Sequence, residues 1–134
     1  MMISIMRKFI LASFFLVLSL AFLDAITTKL ALARGCYEVN PFARFLLRYD
    51  FIELKLILTA LTFSIMLVLL HDNDRVLKAC CVTVIIFYSL VVANNVAAIF
   101  GTFDFGFDMP KLTLLALCLF LLSLKAIPSS QRPP

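Results

Sequence analysis

The chain has 134 residues, of which 63% are hydrophobic and only 15% charged. Its mean hydropathy of +1.08 is too apolar for a water-soluble domain and identifies an integral membrane protein. The net charge of +4 and pI near 9.0 do not point to nucleic acid, because the Lys and Arg residues lie singly or in pairs around apolar runs, as helix flanks do, and form no basic stripe.

At about 20 residues per span, the length suits one domain of about four helices, so a transporter of two large repeats is excluded unless the chain oligomerises. The first apolar run follows Arg7 and Lys8 and continues in helical periodicity, giving a span over 9–33. This start also has the form of a secretory signal, with Ala31-Leu32-Ala33 as a small-x-small site. However, the stretch before that site would carry Asp24 and Lys29, too much charge for a signal peptide. Asn40-Pro41 reads as an N-cap with proline at the first helical position, opening a short helix over 41–49. Phe42, Phe45, Leu46 and Tyr49 share one face of it and Arg44 and Arg48 the other, which predicts a helix lying in the membrane interface.

The second span is expected over 52–70, ending at the His71-Asp72-Asn73-Asp74-Arg75 turn. The third covers 76–100 and stops at Gly101; the fourth follows Asp108-Met109-Pro110 and covers 111–127. The linking segment 101–108 alternates Phe103, Phe105 and Phe107 with Asp104 and Gly106, a pattern for the interface. The expected fold is therefore all-α, a four-transmembrane-helix bundle with a short interfacial helix between helices 1 and 2.

Cysteine chemistry adds little. Cys36 is expected across the bilayer from Cys80 and Cys81, and no pair of thiols has metal-ligand spacing. His71 with Asp72 and Asp74 reads as a polar turn between two spans, not a metal site. Orientation is not decided by counting Lys and Arg: Arg7, Lys8, Arg75, Lys78, Lys125 and Arg132 fall on one side, and Lys29, Arg34, Arg44, Arg48, Lys55 and Lys111 on the other. The Arg7-Lys8 flank of the first span favours both termini on the cytoplasmic side of the cell membrane.

The informative residues are polar ones at membrane depth. Asp24, Thr27 and Thr28 share one helix face, which Ala21 and Ala31 keep small. At about 1.5 Å per residue, Asp24 lies about 22 Å into the first span, in the far third of the bilayer. The second span enters from that side with Glu53 and Lys55 in its first turn, and the third reaches it with Tyr88, Asn94 and Asn95. Glu38, Asn40, Asp104 and Asp108 belong to the connections on that side, while the opposite halves of the helices read as almost purely apolar. A buried carboxylate needs a partner, and Lys55 is the cation best situated to pair with Asp24. The expected candidate site is a polar pocket of Asp24, Thr27, Thr28, Glu38, Asn40, Lys55, Asn94 and Asn95, roofed by residues 35–49. The same residues can equally be structural glue between helices.

The residues Asp24-Ala25-Ile26-Thr27-Thr28, then Gly35, Glu38, Asn40 and Pro41, then Lys55, follow a pattern D-A-x-x-T, G-x-x-E-x-N-P, K. It resembles that of an uncharacterised family of small four-helix prokaryotic membrane proteins. The resemblance implies the fold and the choice of residues, and no activity. A second likeness, to lipoprotein signal peptidases, rests on four helices and the opening Asp24 to Lys29. Those enzymes use two membrane aspartates, whereas this chain has Asn94 and Asn95 where a second carboxylate would be sought, and an amide cannot exchange a proton in that way.

Three functions remain open: an accessory subunit or ligand- or partner-binding module; an intramembrane enzyme with Asp24 as acid or base; and a dimeric small transporter with Asp24 and Lys55 as a proton relay. No cofactor or metal is implied. The expected partners are the lipid bilayer and other membrane subunits or further copies of the chain, and no nucleic acid.

Overall fold

A computed structural model describes residues 2–37, 44, 45, 48, 52–101 and 108–128. Four helices run in chain order: α1 (Met2–Ala33), α2 (Ile52–Leu69), α3 (Asp74–Ile99) and α4 (Met109–Ala126). Among the described residues there is no strand, and the fold is all-α. Met6–Ala33, Ile52–Leu69 and Asp74–Ile99 are long and apolar enough to cross a membrane, which makes this a small membrane protein. The shorter α4, with Lys111 and Lys125 near its ends, is the expected fourth crossing. The interfacial helix expected over 41–49 lies largely outside the described residues. Within it, Arg44, Phe45 and Arg48 are helical, and the Arg44 guanidinium stacks 4.2 Å from the centre of the Tyr37 ring.

Helix ends follow from local chemistry. α1 starts well before Phe9, because Arg7 and Lys8 are good helix formers and a helix need not stop at the membrane boundary. It ends at Gly35, whose φ of 88° permits a Schellman motif. The Cys36 N–H donates to the Ala31 carbonyl at 3.0 Å and the Gly35 N–H to that of Leu32 at 2.9 Å. α3 opens at Asp74 because the Asn73 side chain accepts the Val76 N–H at 3.1 Å, and it ends at Gly101 with φ 64°. α4 opens under Asp108, which accepts the Lys111 N–H at 2.9 Å, with Pro110 in the first turn where its missing donor costs nothing.

The helices alternate in direction, so α1 and α3 run parallel and α2 and α4 oppose them. α1 packs against both α2 and α3, and α4 packs on the other flank of α3. Ser13, Val17, Ala21, Asp24, Thr28 and Ala31 form the buried stripe of α1 at spacings of three and four, small enough to let the neighbouring backbones close in. Near the N-terminal end of α1, Val17, Phe63, Leu77 and Cys81 make the buried core, with Phe14, Met66 and Tyr88 against it. The Phe14 and Phe63 rings meet at 5.5 Å. Among the described residues, this half of the bundle is almost purely apolar but for three buried hydroxyls. Ser13, Thr83 and Ser123 are buried there, and the Thr83 hydroxyl donates to that of Ser123 at 3.5 Å across the α3–α4 contact. Single hydroxyls barely register in the hydropathy of a Leu-rich helix, so these contacts are hidden in a one-dimensional profile.

Candidate functional site

The opposite end of the bundle holds the charged cluster. Asp24 lies about 14 Å of helix rise before the end of α1. The fourfold rise of α1 brings Thr28 above it, and the Thr28 hydroxyl donates to Asp24 Oδ1 at 3.3 Å. Thr27 instead turns its hydroxyl to the backbone, donating to the carbonyls of Leu23 at 2.8 Å and Asp24 at 3.2 Å. From the first turn of α2, Lys55 Nζ donates to Asp24 Oδ2 at 2.5 Å. From the last turns of α3, Asn95 Nδ2 donates to Asp24 Oδ1 at 2.9 Å, and also faces the hydroxyls of Thr28 at 3.1 Å and Thr27 at 3.3 Å. Three helices thus meet on one carboxylate.

The electrostatics of this arrangement are directional. A lysine in the first turn of a helix opposes the positive end of the helix dipole, so Lys55 gains nothing from α2 itself and is compensated by Asp24. The Asp24 side chain is 10% exposed and that of Lys55 22%, which leaves the lysine as the reachable member of the pair. An ammonium has three N–H donors, and among the described residues Lys55 gives one of them, to Asp24.

Of the eight residues expected to share a site, the structure brings together Asp24, Thr27, Thr28, Lys55 and Asn95. Asn94 is half-buried about 100° round the helix from Asn95, so it is Asn95 that reaches the carboxylate. Glu38 and Asn40, with most of the expected roof over 35–49, lie outside the described residues.

Two arginines that the sequence reading treated as simple flanks have defined roles. Arg34, beside the C-terminus of α1, donates from Nη1 to the Ile99 carbonyl at the C-terminus of α3 at 2.8 Å. Because α1 and α3 are parallel, their negative dipole ends stand side by side, and this cation lies against the α3 end. At the other end of the bundle, Arg75 donates from Nε to the Ile127 carbonyl at 2.9 Å and from Nη2 to that of Leu124 at 2.7 Å, closing the C-terminus of α4. Their only sequence signal was position: each stands at a helix end, next to a partner helix that the sequence does not reveal. The His71 turn is a plain one, with Nε2 of the ring 3.0 Å from Asp72 and both side chains exposed. The four cysteines are free.

Residues 15–101, more than half of the chain, match the family model for a domain of unknown function, DUF5658. The match takes in Asp24, Thr27, Thr28, Lys55 and Asn95 and ends where α3 ends, leaving α4 outside it. No curated protein and no solved structure matches the chain.

Proposed function

The chain belongs to the DUF5658 family, whose function is unknown, and we propose from its geometry that it is a small multi-pass membrane protein serving as an accessory subunit or binding module. Its binding site is the Asp24, Lys55 and Asn95 cluster with Thr27 and Thr28, near one membrane face. The observation that carries this reading is the cluster itself. A charged pair, completed by an amide and a hydroxyl from three helices, sits where the Lys55 side chain is still partly exposed. Intramembrane ionisable groups of this kind mark ligand or ion contacts by default. A binding role is favoured over catalysis because the cluster has one carboxylate and, among its described contacts, no Ser, His or Cys to act as a nucleophile or exchange partner. In the same reading both termini face the cytoplasm, supported by Arg7 and Lys8, which are exposed at the start of α1.

The test uses protein extracted from its native membrane in mild detergent and analysed by native mass spectrometry. The wild type is expected to hold a small bound species. The neutral double variant Asp24→Asn/Lys55→Met, shown to be helical by circular dichroism and monodisperse, is expected to have lost it. A folded double variant that holds the same species in the same amount overturns the reading and leaves the cluster as structural glue.

A further inference from the structure

We propose that Lys55, Asn95 and Thr28 form an oxyanion cradle whose external ligand is a phosphate group, presented by an anionic lipid of the leaflet at this end of the bundle, and that Asp24 is the built-in competitor for it. The inference rests on the reading of the cluster as a binding site and adds the class of ligand. Among the described residues, every side chain that meets the Asp24 carboxylate does so as a donor: an ammonium on Oδ2, and an amide N–H and a hydroxyl on Oδ1. Donors from three helices converging on two neighbouring oxygens make a receptor for any paired-oxygen anion, and phosphate offers the same pairing with more charge.

Depth and surroundings select an amphiphile. Lys55 stands about 5 Å of helix rise from the start of α2, and Asn95 about 6 Å from the end of α3, so both are close to the headgroup level. Deeper along the two helices that carry the ion pair, Leu23 on α1 and Ile57 on α2 are exposed, offering apolar surface for an acyl chain.

Competition gives the proposal a signature that a structural pair lacks. Removing the Asp24 charge leaves the Lys55 ammonium for the ligand, so Asp24→Asn should tighten phosphate binding, whereas Lys55→Met should abolish it. The purified protein in dodecyl maltoside is titrated with phosphatidylglycerol and with phosphatidylcholine by native mass spectrometry, with inorganic phosphate as a competitor. Wild type is expected to prefer phosphatidylglycerol about fivefold, the worth of one interfacial lysine. Asp24→Asn should raise that preference, Lys55→Arg should keep it, and Lys55→Met and the neutral double variant should lose it. Where Lys55→Met alone does not fold, the double variant carries the comparison. Displacement of the lipid by inorganic phosphate supports the cradle with a free anion as ligand, and no displacement supports it with the lipid. Equal binding of the two lipids by wild type, or a loss in Asp24→Asn as large as in Lys55→Met, overturns the proposal. A species held by wild type, lost from the folded double variant and free of any phosphate overturns the ligand class alone and leaves the binding reading standing.

Discussion

Asp24 and Lys55 illustrate how a bilayer turns two unfavourable residues into one tolerable unit. The Asp24 carboxylate is largely buried and the Lys55 ammonium partly so, and each is stabilised by the other, with the Asn95 and Thr28 donors completing the carboxylate. Breaking the pair from one side is therefore worse than removing it whole. Lys55→Met, which leaves the carboxylate with neutral donors only, should destabilise by about 3 kcal/mol, the low end for a buried pair because the lysine is partly exposed. The double variant with Asp24→Asn should cost less than about 2 kcal/mol, a coupling that a double-mutant cycle of thermal unfolding in detergent would measure. Equal losses in the single and double variants would mean that the two side chains do not interact energetically. Asn95→Leu should also destabilise, since Asp24 Oδ1 loses its closest donor, while Asn94→Leu, which leaves that bond in place, should not disturb Asp24.

At the scale of the helix, both ends of the bundle are finished by side chains that belong to a neighbouring helix. Arg75 supplies two charge-assisted hydrogen bonds to the last carbonyls of α4. Arg75→Met should free that end at a cost of about 1–2 kcal/mol, read as faster amide exchange over residues 123–127 with α1 and α2 unchanged. Equal exchange in both proteins would show that the fork contributes nothing. The cap at the start of α4 gives a pH test instead. The Lys111 backbone N–H donated to Asp108, helped by the Lys111 side chain, holds the Asp108 carboxyl below the usual carboxylate range. Its contribution is thus fully present above that range and is lost as the pH falls through the lowered value. Acid should fray the first turn of α4, seen as a shift of the Lys111 amide resonance that Asp108→Asn, which keeps a capping oxygen but cannot titrate there, does not show.

For the whole molecule, the distribution of charge bears on orientation. Counted along the sequence, the flanks and turns on the side of the termini hold Arg7, Lys8, Arg75, Lys78, Lys125 and Arg132 against Asp72 and Asp74, and those on the other side hold six cations against Asp24, Glu38, Asp50, Glu53, Asp104 and Asp108, so the sequence assigns the net +4 to the terminal side. An anionic cytoplasmic leaflet attracts such an end. In a cysteine-free background, Tyr37→Cys should react with a membrane-impermeant maleimide on intact cells, and Asp72→Cys only after the membrane is opened; the opposite pattern means an inverted protein. Both positions are exposed, so access to the reagent depends on the side of the membrane and not on packing.

The sequence by itself determined what depends on the chain and the solvent. The bilayer admits helices and excludes most alternatives, so apolar run length was enough to predict four helices. Gly101 marked the end of α3, because only a residue at ease with positive φ closes a helix in that way. The shared depth of Asp24, Lys55 and the asparagines was legible too, since depth is only a count of residues along an axis. What the tertiary structure decided is how each helix is rotated and which neighbour it meets. That rotation chose Asn95 over Asn94, turned Ser13, Thr83 and Ser123 inward, and gave Arg34 and Arg75 the carbonyls of α3 and α4 to close. A hydropathy profile holds no such information, because residues one position apart differ by about 100° around a helix and only packing against a second helix fixes the zero of that angle.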